Sequence, residues 1–204
     1  MAPNAVDYLW FNEDRFPDLA DSYCFTLVRQ ITPELLMSRL GAQAEASPRK
    51  TLDELIAASY SGPGPLGTWD GNFFGAVCIG DWLLIVEANG HLGVNKKAIV
   101  PLSAGTRLVS HSRNVNAVGY FHWVEDGEIR LSFDPLFPSL RHGSTPDELS
   151  GMMQRVGFDL GDDIDGGIHD KAVFALAEHL TGVKLTPQLL EESTYLCGLA
   201  PRPR

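Results

Sequence analysis

Two apolar runs joined by Gly80-Asp81 constrain the fold of this chain more than any other feature of its sequence. The runs cover residues 73–79 and 82–88, and a two-residue Gly-X connection between such runs is typical of a β-hairpin. In the register that this turn sets, both faces of the hairpin carry apolar side chains, with Glu87 as the exception. Because both faces must be covered, we expect the hairpin near the middle of a sheet, with further layers above and below it.

A second hairpin is predicted around Asp126-Gly127, a residue pair preferred in type I′ turns. Its register places Trp123 opposite Arg130, with Phe121 on the same face among charged residues. We interpret Phe121, Trp123 and Arg130 as a candidate protein-binding surface that includes a cation–π pair; the alternative is that a terminal helix covers the two aromatic rings. The opposite face is expected in the core and carries Tyr120, His122, Val124, Ile129, Leu131 and Phe133.

The remaining elements are predicted from apolar patterns and capping residues. Residues 22–28 and 106–112 have the composition or alternation of strands. Because Thr is a preferred N-cap and Pro suits the first helical position, Thr-Pro pairs ahead of apolar residues predict helix starts. The predicted starts are Thr32-Pro33, Thr51 with Glu54 completing a capping box, Thr145-Pro146 and Thr186-Pro187, and a further amphipathic helix ends at Gly182.

Together these elements predict an α+β fold with a mostly antiparallel sheet of about six strands and four or five helices packed on it. A length of 204 residues suits a single domain, residues 1–204. We expect a Gly/Pro-rich loop at 61–72 and a frayed tail at 200–204.

Charge and cysteine content narrow the expected partners and location. Sixteen Lys and Arg against 26 Asp and Glu give a net charge of −10, which repels phosphate backbones, so we expect no nucleic acid partner. The sequence has neither a secretory signal nor an apolar stretch of membrane-spanning length, so we expect a soluble cytoplasmic protein. Cys24, Cys78 and Cys197 have no C-x-x-C spacing and are interpreted as reduced core residues.

Familiar enzyme signatures are missing: the sequence contains no G-x-S-x-G, H-E-x-x-H, Walker A or G-x-G-x-x-G motif. The acidic stretch 159–167 does not fit an EF-hand calcium loop. Such a loop, with its glycine at Gly166, would need an acidic or amide side chain at position 161 and a glutamate at position 172, where the sequence has Gly161 and Ala172. We therefore expect no metal and no cofactor. His111 and His122 lie on neighbouring predicted strands, where we interpret His122 as a hydrogen-bonded core residue and His111 as half exposed.

Glu87 is the carboxylate with the most distinctive position, on an otherwise apolar strand face. A buried carboxylate needs a partner, so Glu87 either pairs with an arginine such as Arg107 or Arg113, lies at the rim, or serves a ligand or catalytic site. If the protein is an enzyme or binds a small molecule, we expect a pocket near Glu87, His111 and Asn114, capped by the Gly/Pro-rich loop. The other interpretation of Asn114 is that of a turn residue.

Several short segments in fixed order carry a resemblance to a known family. They are YCFTLV at 23–28, TPE at 32–34, RLG at 39–41, WLLIVE at 82–87, NG at 89–90, SAGT at 103–106, NVN at 114–116 and FDP at 133–135. This set resembles an uncharacterised family of actinobacterial proteins, a domain of unknown function, over nearly the whole chain. The resemblance implies a soluble bacterial protein and assigns no catalytic residue. Residues 82–90 are also similar to small bacterial immunity proteins.

Two functions follow as hypotheses. The first is a non-enzymatic protein–protein interaction, of an immunity- or defence-like kind, through Phe121, Trp123 and Arg130. The second is a small-molecule-binding protein or an enzyme that uses the pocket near Glu87 and His111. Neither hypothesis requires a cofactor, a nucleic acid or a membrane.

Overall fold

Eight strands form one antiparallel sheet in the described part of the computed structural model, residues 2–161 and 168–202. In chain order they are β1 (Tyr23–Arg29), β2 (Gln43–Lys50), β3 (Asn72–Ile79), β4 (Trp82–Ala88), β5 (Arg107–Arg113), β6 (Gly119–Glu125), β7 (Glu128–Phe133) and β8 (Tyr195–Ala200). Their order across the sheet is β2-β8-β3-β4-β1-β5-β6-β7. The α+β class is confirmed, with two strands more than the six expected. Ala200 pairs with Asn72 in the sheet, so residue 200 does not belong to a frayed tail and residue 72 does not belong to the Gly/Pro-rich loop, contrary to expectation.

Seven α-helices lie in the described residues: α1 (Pro17–Ala20), α2 (Pro33–Leu40), α3 (Leu52–Ser59), α4 (Lys96–Leu102), α5 (Ser150–Val156), α6 (His169–Thr181) and α7 (Pro187–Glu192). Three 3-10 turns are added at Ala5–Tyr8, Pro65–Gly67 and Leu92–Val94. The hydroxyls of Thr32, Thr51 and Thr186 cap α2, α3 and α7 as predicted. Thr145 does not cap a helix, because α5 begins only at Ser150 and Thr145 accepts a hydrogen bond from the Arg130 side chain instead.

The hairpin of β3 and β4 occupies the third and fourth positions of the sheet, as predicted. Ile79 pairs with Trp82, so the two strands share faces in the expected way. Leu84 belongs to a large apolar core on the face covered by the N-terminal segment, α3, α5, α6 and α7. Ile85 belongs to a smaller core on the face covered by α2 and α4.

The second hairpin differs from its predicted register because β7 contains a β-bulge. Val124 pairs with Ile129, but Trp123 pairs with Leu131, which leaves Arg130 as the extra residue of β7. The expected pairing of Trp123 with Arg130 is therefore wrong. The guanidinium of Arg130 nevertheless lies 5.3 Å from the Trp123 ring centroid, so the predicted cation–π contact is present.

The bulge also decides which side chains of this hairpin are buried, since a shift of one residue moves later side chains to the other face. Leu131 and Phe133 join Phe121 and Trp123 in the large core, and each of the four is at most 3% exposed. Of the two interpretations of Phe121 and Trp123, the exposed surface is wrong and the alternative, that both rings are covered, fits the structure. The candidate protein-binding surface therefore loses both of its aromatic rings. Of that surface only Arg130 is partly exposed, and it pairs with Glu148 at 2.9 Å.

Candidate functional site

One end of the sheet collects polar side chains from segments that are far apart in the sequence. Tyr23, the first residue of β1, pairs with Arg113, the last residue of β5. Asp134 follows β7, and Asp170 lies in the first turn of α6. These four side chains line a cavity of about 170 Å³, which we call the Tyr23 cavity. The cavity is further lined by Ser112, Ala117, Gly119, Pro135, Leu136, His169 and Val173.

The turn between β5 and β6 forms one wall of the Tyr23 cavity, and Asn114 holds it in shape. The Asn114 Oδ1 atom accepts hydrogen bonds from the backbone N–H groups of Asn116 at 2.9 Å and Val118 at 3.1 Å. The interpretation of Asn114 as a turn residue is therefore confirmed. Gly119 lets this turn approach the loop after β7, since a Cβ atom there would lie 3.1 Å from the Pro135 ring.

Charges around the cavity are partly paired, which leaves donors and acceptors for a ligand. The Asp170 carboxylate accepts hydrogen bonds from Lys171 Nζ at 2.6 Å and from Arg113 Nη1 at 3.4 Å. The second contact is long, and the Arg113 side chain is 36% exposed. Asp134 uses one oxygen, Oδ1, to accept the backbone N–H of Leu136 at 3.0 Å. The cavity thus presents a guanidinium donor and a carboxylate acceptor, both within reach of solvent.

His111 lies behind Tyr23 and is buried, contrary to the expectation that it is half exposed. Its Nδ1 atom lies 3.4 Å from the Tyr23 hydroxyl, and its ring packs 4.4 Å from the ring centroid of Phe174. Burial lowers the pKa of His111 to about 3, so the imidazole is neutral near pH 7. Burial, with the Asp170 charge adding to it, holds the pKa of Tyr23 well above its usual value. Tyr23 is therefore a neutral hydroxyl that can bind a ligand but cannot act as a base.

Glu87 is fully buried and pairs with none of the described arginines, so the interpretations of an ion pair with Arg107 or Arg113 and of a rim position are both wrong. Arg107 pairs with Glu125 at 2.8 Å, and Arg113 contacts Asp170. The Glu87 carboxylate instead accepts the backbone N–H of Leu92. Burial raises the pKa of Glu87 to about 7, although the bonds from Leu92 and from the Cys24 thiol partly oppose that rise.

The three residues of the expected pocket do not come together. Glu87 pairs with Cys24 across β4 and β1, whereas His111 pairs with the next residue, Phe25, across β5 and β1. Since neighbouring side chains in a strand point to opposite faces, Glu87 and His111 lie on opposite faces of the sheet. His111 and Asn114 support the Tyr23 cavity from behind and from the side, but neither lines it.

Other candidate groups from the sequence carry no metal site in the described residues. No group of three or more His, Cys, Asp or Glu side chains is placed there to hold an ion. His122 is buried as expected, but neither of its ring nitrogens has a hydrogen-bond partner in the part of the chain that the structure describes, and burial lowers its pKa to about 4. Of the acidic stretch 159–167, residues 162–167 lie outside the described part of the chain. Cys24 and Cys197 are buried, whereas Cys78 is exposed, contrary to expectation.

Sequence reasoning missed the residues that line the Tyr23 cavity. Tyr23 and Asp134 stand in two of the segments that carry the family resemblance, YCFTLV and FDP, and both lie at strand ends. Their positions at strand ends could have indicated a shared site, because side chains at the ends of adjacent strands meet at one edge of a sheet. Asp170 could not have been placed there, since its position depends on how α6 packs across β5.

The comparisons with known proteins give a family and no function. A sequence model described as a family of unknown function, DUF6461, matches residues 1–204. No curated protein and no solved structure matches the chain. Among the described residues, no helix has the length and apolarity that crossing a membrane requires.

Proposed function

We propose that this chain, which belongs to DUF6461, is a small-molecule-binding protein whose site is the Tyr23 cavity. The observation that carries the proposal is the convergence of a tyrosine side chain, a guanidinium and two carboxylates from four separate segments on one hollow. Specific ligand sites typically combine a small number of polar groups, like these, with apolar walls. The walls here are supplied by residues such as Val173 and Leu136.

The ligand class follows from size and charge. A volume of about 170 Å³ lies below the roughly 300–1,000 Å³ of sites for drug-sized ligands, so the ligand is small. Arg113 offers charge-assisted hydrogen bonds to an anionic group, and Asp134 offers an acceptor to a cationic one. We therefore propose a small zwitterion, such as a free amino acid, with its carboxylate on Arg113 and its ammonium group on Asp134.

Titration calorimetry with matched probes tests this proposal. L-alanine carries both charges, propionate lacks the ammonium group and ethylamine lacks the carboxylate. We expect amino acids to bind more tightly than either kind of single-charge probe. Arg113→Gln should weaken the best-binding amino acid about tenfold or more, since a hydrogen bond to a charged group contributes about 1.5–3 kcal/mol.

The matched control for Arg113→Gln is Arg155→Gln, because Arg155 is an exposed arginine that does not line the cavity. It should bind like the wild type. If no amino acid binds in the millimolar range, or if both variants bind equally, the assignment of the Tyr23 cavity as a zwitterion site is wrong.

Protein binding is a second candidate function, supported by exposed apolar side chains at the same end of the sheet. Val115 is 71% exposed in the turn after β5, and Leu140 is 73% exposed in the segment after β7. Exposed apolar patches are typical of interaction sites. A partner captured by the wild type and by Val6→Asp, a control at another exposed valine, but lost with Leu140→Asp would support this function. Equal capture by all three would count against it.

A location in the cytoplasm is part of the proposal. The three cysteines are free, and in secreted proteins cysteines more often form disulfides. Labelling of an intact cell with a membrane-impermeant thiol reagent tests this, since the exposed thiol of Cys78 should be protected until the cell is lysed.

A further inference from the structure

A second hollow, separate from the Tyr23 cavity, lies between the Gly/Pro-rich loop and the turn after β4. Its volume is about 480 Å³, which falls in the range of sites for cofactor-sized molecules. Trp69 and Asn72 line it from the loop side, and Asn89 and His91 line it from the turn side. Arg202 borders it from the chain end after β8. We call it the loop groove.

The loop side of the groove is held by its own hydrogen bonds. The backbone N–H of Gly62 donates to Gly67 at 2.8 Å, and that of Gly64 donates to Thr68 at 2.9 Å. Gly67 has a φ of +75°, and a Cβ atom there would lie 1.9 Å from a backbone oxygen, so only glycine fits. The Trp69 ring is fixed by a 3.0 Å bond from Nε1 to the Ala58 carbonyl. This wall is therefore built before any ligand arrives.

The turn side is held by the buried carboxylate described above. Glu87 lies directly beneath Gly90, where a Cβ atom would lie 2.3 Å from the carboxylate oxygen. The Ser22 hydroxyl donates to Asn89 Oδ1 at 3.2 Å, and this bond leaves the Asn89 amide group as a donor. The Asn72 side chain makes no hydrogen bond to any described residue. Two amide side chains thus face the groove with donors and acceptors available.

The charge of the groove contrasts with that of the whole protein. The chain has a net charge of −10, yet none of the described residues that line the groove is Asp or Glu. Arg202 supplies a guanidinium, which among the described residues makes only one hydrogen bond, of 3.5 Å to the Trp69 carbonyl. The guanidinium can therefore give an anionic group a charge-assisted hydrogen bond, and no described lining residue adds a carboxylate that would oppose it.

The groove also offers aromatic surface. Tyr60 is 43% exposed, and Trp69 is partly exposed with its ring stacked 5.2 Å from that of Phe73. Aromatic side chains stack on planar heterocycles, and amide side chains match the mixed donors and acceptors at the edge of a nucleobase. From this combination we propose that the loop groove binds a mononucleotide, with its base against the aromatic wall and its phosphate on Arg202.

Equilibrium binding with dissected probes tests the proposal on the full chain. The probes are AMP, GMP, CMP and UMP, then adenosine without phosphate, ribose 5-phosphate without base, and inorganic phosphate. We expect at least one mononucleotide to bind more tightly than any of the three partial probes. Arg202→Gln should weaken that mononucleotide roughly 10- to 100-fold and leave the affinity for the nucleoside unchanged. Asn72→Ala should weaken both.

The controls separate this site from the Tyr23 cavity. Arg155→Gln and Arg113→Gln should both bind the mononucleotide like the wild type, so failure of the amino acid site would leave this result intact. The proposal is overturned if no mononucleotide binds in the millimolar range. It is also overturned if inorganic phosphate binds as tightly as the mononucleotide, or if Arg202→Gln has no effect on mononucleotide binding.

Discussion

Both carboxylate oxygens of Glu87 accept the backbone N–H of Leu92, each at 3.1 Å. This contact joins the end of β4 to the 3-10 turn Leu92–Val94 and so shapes one wall of the loop groove. It also places a carboxyl group in the interior with no cation paired to it among the described residues. Because burial disfavours the ionised form of this carboxyl group, the free energy of unfolding depends on pH.

Glu87 should stabilise the protein more at low pH than at neutral pH. Its pKa rises from 4.5 to about 7 on folding, so the folded state binds the proton more tightly than the unfolded state does. The contribution is complete below pH 4.5 and is lost as the pH rises to 7, by about 3 kcal/mol. Urea unfolding from pH 4.5 to 7.5 should show this loss in the wild type relative to Glu87→Gln. An unchanged difference between the two proteins across that range would contradict the prediction.

His111 should act in the opposite direction. Its pKa falls from 6.5 to about 3 on folding, so the folded state rejects the proton and stability declines as the pH falls below 6.5. At pH 4.5, His111→Phe should be more stable relative to the wild type by about 3 kcal/mol than it is at pH 7. Glu87→Gln serves as the control, because it keeps His111 and should lose stability in acid. The same unfolding curves measure both effects, which offset each other in the wild type between pH 4.5 and 6.5.

Gly93, in the Leu92–Val94 turn, should not tolerate a larger residue. A Cβ atom there would lie 2.2 Å from Thr26 Oγ1 and 2.6 Å from Cys24 Sγ, in a fully packed interior. Gly93→Ala should therefore destabilise the protein by about 1–3 kcal/mol, as overpacking does. Gly151 in α5 has open space around it, so Gly151→Ala is the matched control and should be neutral or stabilising by up to about 1 kcal/mol. Thermal unfolding should give a lower melting temperature for Gly93→Ala than for Gly151→Ala. Equal melting temperatures would contradict the prediction.

The three cysteines should differ in reactivity in the folded protein. Cys78 is exposed, whereas burial raises the pKa of Cys24 well above its usual value and that of Cys197 to about 12. Since the thiolate is the reactive form, iodoacetamide at pH 8 should label only Cys78. Mass spectrometry should find one label on the native chain and three after unfolding in urea. Labelling of Cys24 in the native protein would contradict the prediction, because it would show that reagent and solvent reach this buried thiol.

The central hairpin and most helix starts could be predicted because their signals are local. A Gly-Asp turn between apolar runs sets its own register, and a threonine hydroxyl caps the helix that follows it. The strands β2 and β8 carry weaker signals. Most of β2 is polar, and the strand contains Pro48 and shifts register between Ala44 and Arg49, as edge strands often do. Residues of β8 form a short apolar run that only its neighbours β2 and β3 identify as a strand.

The binding sites depend on information that a local pattern does not contain. The bulge at Arg130 moves Leu131 and Phe133 to the face of the sheet that carries Phe121 and Trp123, and this face is core instead of the expected surface. The packing of α6 brings Asp170 to Arg113, and these two residues are 57 positions apart in the chain. The position of Glu87 is unusual in the sequence, but its partner is a backbone N–H group. Every residue except proline has such a group, so the sequence does not indicate which one the carboxylate binds.

Mapping of backbone amide chemical shifts by NMR tests the Tyr23 cavity most directly. On addition of the amino acid that binds best, we expect shift changes grouped at the β5–β6 turn, around Asp134 and at the start of α6, all of which border the cavity. These changes should be lost with Arg113→Gln and kept with Arg155→Gln. Shift changes grouped at the opposite end of the sheet, or changes that persist in Arg113→Gln, would contradict the account.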